Sequence, residues 1–356
     1  MHHEVVVRHK WMDDQRFLDL MSATMLLPGP NATEIASHLG LVRAGWRGLI
    51  AAGGLFILPG MAAILAVAWA YVKFGSLPEV GWLLYGVKPA VIAIIVQAVW
   101  SLGRKAIKGP LPVVVGLGAL VFYLRGFDEI ILLFAGAAVA LLARSGRRLF
   151  RHGVPAILAA PALLFKLPLG GFSAGAIAFN QVTLFLTFLK IGATLFGSGY
   201  VLIAFLKSNF VERLGWLTNN QVIDAIAVAG QITPGPVFTS ATFIGYVLGG
   251  WHSAILATVG IFLPSFILVG LLSRVLPHIR KSRWAASFLD GVNAAALGLM
   301  TAVAIQLGRV VLVDIFTIVL TLGALFLVFR FKVNSVWLVL GGGLLGVIYK
   351  VVLGLF

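Results

Sequence analysis

Two stretches of this sequence join residues that interrupt a helix to residues that can hold an anion. The first reads Met21-Ser-Ala-Thr-Met-Leu-Leu-Pro28-Gly29-Pro30-Asn31-Ala-Thr33-Glu34-Ile, the second Ala227-Val-Ala-Gly-Gln231-Ile-Thr233-Pro234-Gly235-Pro236-Val-Phe-Thr239-Ser240-Ala. Proline removes an N–H donor and clashes with the preceding turn, so two prolines around a glycine end a helix. Within lipid, such loose backbone survives only where it is buried in protein or lines a wet cavity. The helix that resumes after Pro30 or Pro236 turns its first free N–H groups, near Asn31 and Ala32 or Val237 and Phe238, toward the gap. Its dipole adds about half a positive unit charge there. A helix end of this kind binds an anion without a fixed cation. Asn31, Thr33, Gln231, Thr233, Thr239 and Ser240 set amides and hydroxyls beside it.

Other polar residues offer less. Glu34 is the main acid inside an apolar segment; it is either a proton-coupling residue or, from the Asn31-to-Glu34 spacing, a helix cap. Lys88, within Tyr85-Gly-Val-Lys-Pro-Ala, either touches the anion or snorkels to the interface, and Lys190 reads the same way. Gly197-Ser198-Gly199-Tyr200 either presents N–H groups or permits close helix packing. The chain holds no cysteine, so thiolate chemistry is excluded, and His2, His3 and His9 lack metal-ligand spacing. The remaining acids read as loop or helix-end residues, and no histidine pairs with a serine or aspartate at a useful spacing. An embedded enzyme, which needs converging catalytic groups, is therefore not expected, nor is a cofactor.

The elements that must position these residues are membrane helices. Hydrophobic residues form 60% of the chain and charged ones 11%, less than half the charge usual in a soluble domain, about 25%. Apolar runs of about 20 residues recur, long enough to span hydrocarbon. The net charge of +15 sits in short loops (Arg104, Lys105, Lys108; Arg144 to Arg151; Arg274 to Arg283). That distribution anchors loops on one membrane side rather than forming a nucleic-acid-binding face. The fold class expected is an all-α polytopic membrane protein with two inverted-topology repeats and discontinuous helices.

The repeat is read from one offset. Trp11 and Trp216 stand 205 residues apart, and the same step links Asp19 to Asp224, Gly45-Trp46 to Gly250-Trp251, Pro59 to Pro264, Leu102-Gly103-Arg104 to Leu307-Gly308-Arg309 and Arg125 to Arg330. Spans are expected near Gly48–Val72, Trp82–Leu102, Leu111–Leu124 and Ile130–Ala143, then near Val182–Leu206 at the head of the second copy. Lys and Arg gather in the loops at 40–48, 103–109 and 144–152 of the first copy but on the other side in the second. The copies are thus expected to insert in opposite senses, as secondary transporters do. Residues 1–143 form the first copy, 144–180 a proline-broken linker with half-helices, and 181–356 the second. By that standard the first copy lacks a counterpart to the 182–206 helix, and no cleavable signal peptide is expected.

The residues Leu26-Leu-Pro-Gly-Pro-Asn31, Gly45-Trp46-Arg47-Gly48, Phe56-Ile-Leu-Pro59, Gly230-Gln-Ile-Thr-Pro-Gly-Pro-Val-Phe238, Thr239-Ser-Ala-Thr-Phe-Ile-Gly-Tyr246 and Phe262-Leu-Pro264 resemble the chromate ion transporter family. The resemblance covers nearly all of the chain outside the linker. It implies a two-domain inverted duplication and export of chromate, a tetrahedral dianion like sulfate, across the plasma (inner) membrane. It also implies a Gly-rich first helix that is absent here, with Phe196-Gly-Ser-Gly-Tyr200 as the partial counterpart in the second copy. Sulfate or another oxyanion, a channel, and a scaffold without transport stay open, as does a homodimer.

Overall fold

The computed structural model describes residues 2–9, 11–24, 27–75, 77–152, 178–196, 199–232, 237–273 and 282–353. The chain is all-α: α1 (Asp14–Thr24), α2 (Asn31–Phe74), α3 (Pro78–Ala106), α4 (Pro110–Leu124), α5 (Glu129–His152), α6 (Gln181–Thr194), α7 (Leu202–Leu206), α8 (Asn219–Ile232), α9 (Ser240–Leu272), α10 (Arg283–Val311), α11 (Ile315–Phe326) and α12 (Ser335–Val352). Among the described residues, five helices (α2, α3, α9, α10 from Trp284 and α12) are long and apolar enough to cross a membrane. The four expected spans of the first copy fall inside α2 to α5. The half-helices expected in the linker lie mainly in 153–177, outside the described residues.

α2 is not one rod. Its dihedrals leave the helix at Ala44 (φ −139, ψ 24) and Gly45 (φ 61, ψ −149). Gly40 then lies against the Gly48 carbonyl, and Ser37 against Gly53. In a straight helix those pairs would be about 12 and 24 Å apart. The chain therefore doubles back, a short arm over 31–43 lying on a long arm over 46–74. α9 repeats the device at Gly249 (φ −154, ψ 26) and Gly250 (φ 69, ψ −161). Gly245 abuts the Ser253 carbonyl there, and Thr242 and Thr258 share a hydroxyl hydrogen bond of 2.7 Å. Glycine is required at both corners, because φ near +60 with extended ψ is almost closed to other residues.

Backbones meet where side chains are smallest, as lipid-embedded helices require. Gly86 of α3 faces Gly342 and Gly346 of α12, while Gly291 of α10 faces Gly136 and Ala140 of α5. α3 thus packs against α12, and α10 against α5. Outside, Val114, Leu117 and Val121 on α4, Val319, Leu322 and Phe326 on α11, and Leu340 and Leu344 on α12 stand exposed. In water this would be an apolar surface far beyond that of a soluble monomer; here it is the face turned to lipid.

One expectation is corrected. The apolar run 182–206 is not a continuous helix. α6 stops at Thr194, Leu195 turns extended (φ −82, ψ 93), and helical structure resumes as a 3-10 turn at Gly199–Val201. The Leu195 carbonyl, freed by the break, accepts the Gly29 N–H at 3.0 Å. A long-range partner for the opened backbone replaces the local helical bond that the sequence invited.

Candidate functional site

The first Pro-Gly-Pro segment is a break, and it is buried. Pro28, Gly29 and Pro30 are all buried, with Gly29 at φ +138. The short arm of α2 starts at once, with Asn31 as its first residue and Pro30 in the extended conformation ahead of it. Thr33 and Glu34 already bond the Pro30 carbonyl with their N–H groups, at 2.9 and 3.1 Å. Ahead of them, Asn31 and Ala32 have no carbonyl of their own helix to reach.

Glu34 does not cap this helix. Pro30 occupies the cap position and no side-chain cap bond forms. The Glu34 carboxyl is fully buried, and its Oε1 accepts the Ser265 hydroxyl of α9 at 3.2 Å. Oε1 also lies 2.6 Å from where a Cβ on Gly29 would stand. Among the described residues Oε2 has no hydrogen-bond partner, and neither do Ser37 Oγ and His38 Nδ1 further along the same arm. Ser265 was missed in sequence: it is 231 residues from Glu34, and the repeat places Gly60 at its matching position.

At the second break, Thr233, Pro234, Gly235 and Pro236 lie outside the described residues. Gln231 sits on the last turn of α8, and Phe238, Thr239 and Ser240 are buried where α9 begins. The short turn Val237–Thr239 packs on both α2 and the Gly199–Val201 turn. With Gly29 bonded to Leu195, three interrupted segments therefore converge: 28–31, Leu195 with the turn Gly199–Val201, and 237–240.

Lys88 is engaged elsewhere. Its ammonium lies 3.7 Å from Asp224 Oδ1 and donates to Asn220 Oδ1 at 3.1 Å. The Tyr71 hydroxyl donates to Asp224 Oδ2 at 3.0 Å. Asp224, which reads in sequence as a helix-end acid, is buried within α8. So is Glu129 at the start of α5, which takes hydrogen bonds from Ser208 (2.6 Å) and Asn209 (2.9 Å). Arg213 pairs with Asp128 beside it and approaches Glu129 to 3.9 Å. Burial alone raises the Asp128 carboxyl, but Arg213 and the N–H groups of Ile130 and Ile131 outweigh it and hold it below the usual carboxylate range.

The sequence model of the chromate transporter family matches residues 1–142 and 182–347. A chromate transport protein of Cupriavidus metallidurans is 33% identical over 98% of this chain and 86% of its own length. One from Pseudomonas aeruginosa is 34% identical over 96% of this chain and 85% of its own. A probable chromate transport protein of Synechococcus elongatus is 30% identical over 91% and 82%. No solved structure matches.

Proposed function

This chain belongs to the chromate transporter family, and from that premise we propose that it carries chromate across the membrane where its interrupted helices converge. The observation that carries the reading is the helix start at Asn31 behind the buried Pro30, with a second, buried helix start at Thr239-Ser240. The N–H groups of Asn31 and Ala32, the side chains of Asn31 and Thr33, and the hydroxyls of Thr239 and Ser240 hold the oxyanion, with Gln231, Thr233 and Pro234-Gly235-Pro236 completing the second wall. A tetrahedral dianion suits peptide donors at two helix ends, where positive partial charge is fixed in place. Lys88 stays with Asp224 and acts on the site through its charge.

Two halves inserted in opposite senses move about that site by alternating access, exporting chromate across the plasma membrane. Element boundaries support the duplication: α3 and α10 start and end 205 residues apart, as Pro78 and Ala106 do from Arg283 and Val311. The hairpin corners Gly45 and Gly250 keep the same step and the same dihedrals. Paired interrupted helices in inverted halves are the usual place of a transporter's binding site.

Chromate uptake into inverted vesicles tests this. Saturable uptake is expected in the wild type, with sulfate as a weak or strong competitor reporting selectivity. Gly29→Leu is expected to lower it by about tenfold or more, since at its φ of +138 the strain alone is of order 1–3 kcal/mol, and Gly235→Leu, at the matching place in the second motif, is expected to lower it too. Wild-type flux in both variants overturns the site, and flux that never saturates favours a channel.

A further inference from the structure

Three carboxyls are buried among the described residues: Glu34, Glu129 and Asp224. Two of them have what an ionised group needs in a dry interior. Glu129 accepts Ser208 and Asn209 and has the Arg213 guanidinium at 3.9 Å. Asp224 has the Lys88 ammonium at 3.7 Å and the Tyr71 hydroxyl at 3.0 Å. Glu34 differs: among the described residues it has the Ser265 hydroxyl at 3.2 Å, and neither a cation nor an N–H. An unpaired carboxylate away from water is so costly that the group takes a proton instead.

The elements packed on α2 do not change that balance. α9 carries Tyr246 and His252, and α8 carries Asp224, already held by Lys88 and Tyr71. α1 carries Asp14, which is bonded to His2, besides Arg16 and Asp19 in its sequence. The turn Val237–Thr239 has no titratable group. The N-terminal turn His3–Arg8, whose Val5 clusters with Ile35 and Leu39, pairs Glu4 with Arg8. On α2 itself, Arg43 lies over the Trp11 ring, Arg47 is exposed at the corner, and Lys73 lies over Trp69. His38, one turn on from Glu34, keeps Nδ1 unbonded.

A neutral carboxyl is a donor as well as an acceptor. With Ser265 on Oε1, the proton belongs on Oε2, which no described group accepts. A buried donor without an acceptor needs a reason. Long side chains on a helix lean toward its N-terminus, and Glu34 folds back from the first turn of α2 onto the break, with Oε1 2.6 Å from where a Gly29 Cβ would stand. The free N–H groups of Asn31 and Ala32 open at the same helix start. We propose that Glu34 is held as a neutral acid and gives the oxyanion site an O–H donor beside those N–H groups. The inference rests on the transport reading above and adds a donor that pH can remove. The proton stays on Glu34 while the oxyanion is bound, and no covalent bond changes. Ionising Glu34 takes the donor away and sets a like charge against the dianion in a poorly screened interior, so binding weakens as pH rises.

The test uses the full chain, reconstituted in vesicles. Infrared spectra of the wild type near neutral pH are expected to show a protonated-carboxyl C=O band that Glu34→Gln removes. Adding chromate is expected to shift that band without abolishing it, as donation to an acceptor does. Ser265→Ala is expected to move the same band, which assigns it by a second route if Glu34→Gln fails to fold. In transport, Glu34→Gln keeps an N–H donor in nearly the same place, so its KM for chromate is expected to stay within about twofold of wild type near neutrality. Glu34→Ala, without a donor, is expected to raise KM several-fold. At alkaline pH the wild-type KM is expected to rise while that of Glu34→Gln stays flat. A wild type without the band, or with a band that chromate leaves unmoved while flux saturates, overturns this inference alone. A wild type with no saturable chromate flux overturns the transport reading and the donor role with it.

Discussion

Gly45 and Gly250 turn the two hairpins, and replacing each with alanine isolates the cost of one backbone conformation. Gly45 has φ 61 and ψ −149, Gly250 has φ 69 and ψ −161, and nothing lies within 4 Å of a Cβ built on either residue. A Cβ therefore meets no clash, and what remains is the strain of holding an L-residue in a region nearly reserved for glycine, about 1–3 kcal/mol. That strain lowers the ratio of folded to unfolded protein by roughly five- to 150-fold relative to wild type, since every 1.4 kcal/mol is about tenfold. Gly54 is the control: it too meets nothing within 4 Å, but it sits inside the long helical arm with no positive φ. Alanine at Gly54 is expected to be neutral or to stabilise by about 0.5–1 kcal/mol. The assay is the fraction of protein that remains monodisperse in detergent after heating, measured in parallel for Gly45→Ala, Gly250→Ala and Gly54→Ala. The two corner variants are expected to melt early and by similar amounts. If both match Gly54→Ala, the corners do not hold these dihedrals and the hairpins are wrong.

Asp224→Ala is expected to destabilise the protein by about 3 kcal/mol, the lower end for breaking a buried pair, because Lys88 keeps Asn220 and some exposure. The double change Asp224→Leu with Lys88→Met is expected to recover most of it, and a double variant no better than the single one refutes the pairing. Asp314 caps α11 through the Thr317 N–H and bonds Tyr85 of α3. Slight burial raises its carboxyl, but Tyr85, Thr317 and Lys350 outweigh this and hold it below the usual range. Its contribution is therefore complete at pH above the ordinary carboxylate value and is lost as pH falls through the depressed one. Asp314→Ala is expected to cost about 1 kcal/mol near neutrality and to melt with less acid sensitivity than wild type; an unchanged acid-side profile refutes this role.

Sequence alone determined what is local or what repeats. Composition set the membrane class, and apolar runs between charged loops set α2 to α5, because a span must be apolar along its whole length. Pro28-Gly29-Pro30 announced the break, since proline forbids the continuing hydrogen bonds whatever surrounds it. The charged loop at 40–48 marked the turn that Ala44 and Gly45 make. Tertiary structure decided the partners. The run 182–206 looks helical by content, yet it opens at Leu195 because the Gly29 N–H needs that carbonyl. The Asn31-to-Glu34 spacing suggested a cap, but the helix begins one residue too early for it, at Asn31 itself, and Ser265 takes the carboxyl instead. Asp224 reads as a helix-end acid but lies inside α8, and Glu129 does start α5; their burial was not legible, because Lys88, Tyr71, Ser208 and Asn209 arrive from distant parts of the chain. A buried polar group must find a partner somewhere. Residue type dictates that need, but only the packing of helices far apart in the chain chooses which group meets it.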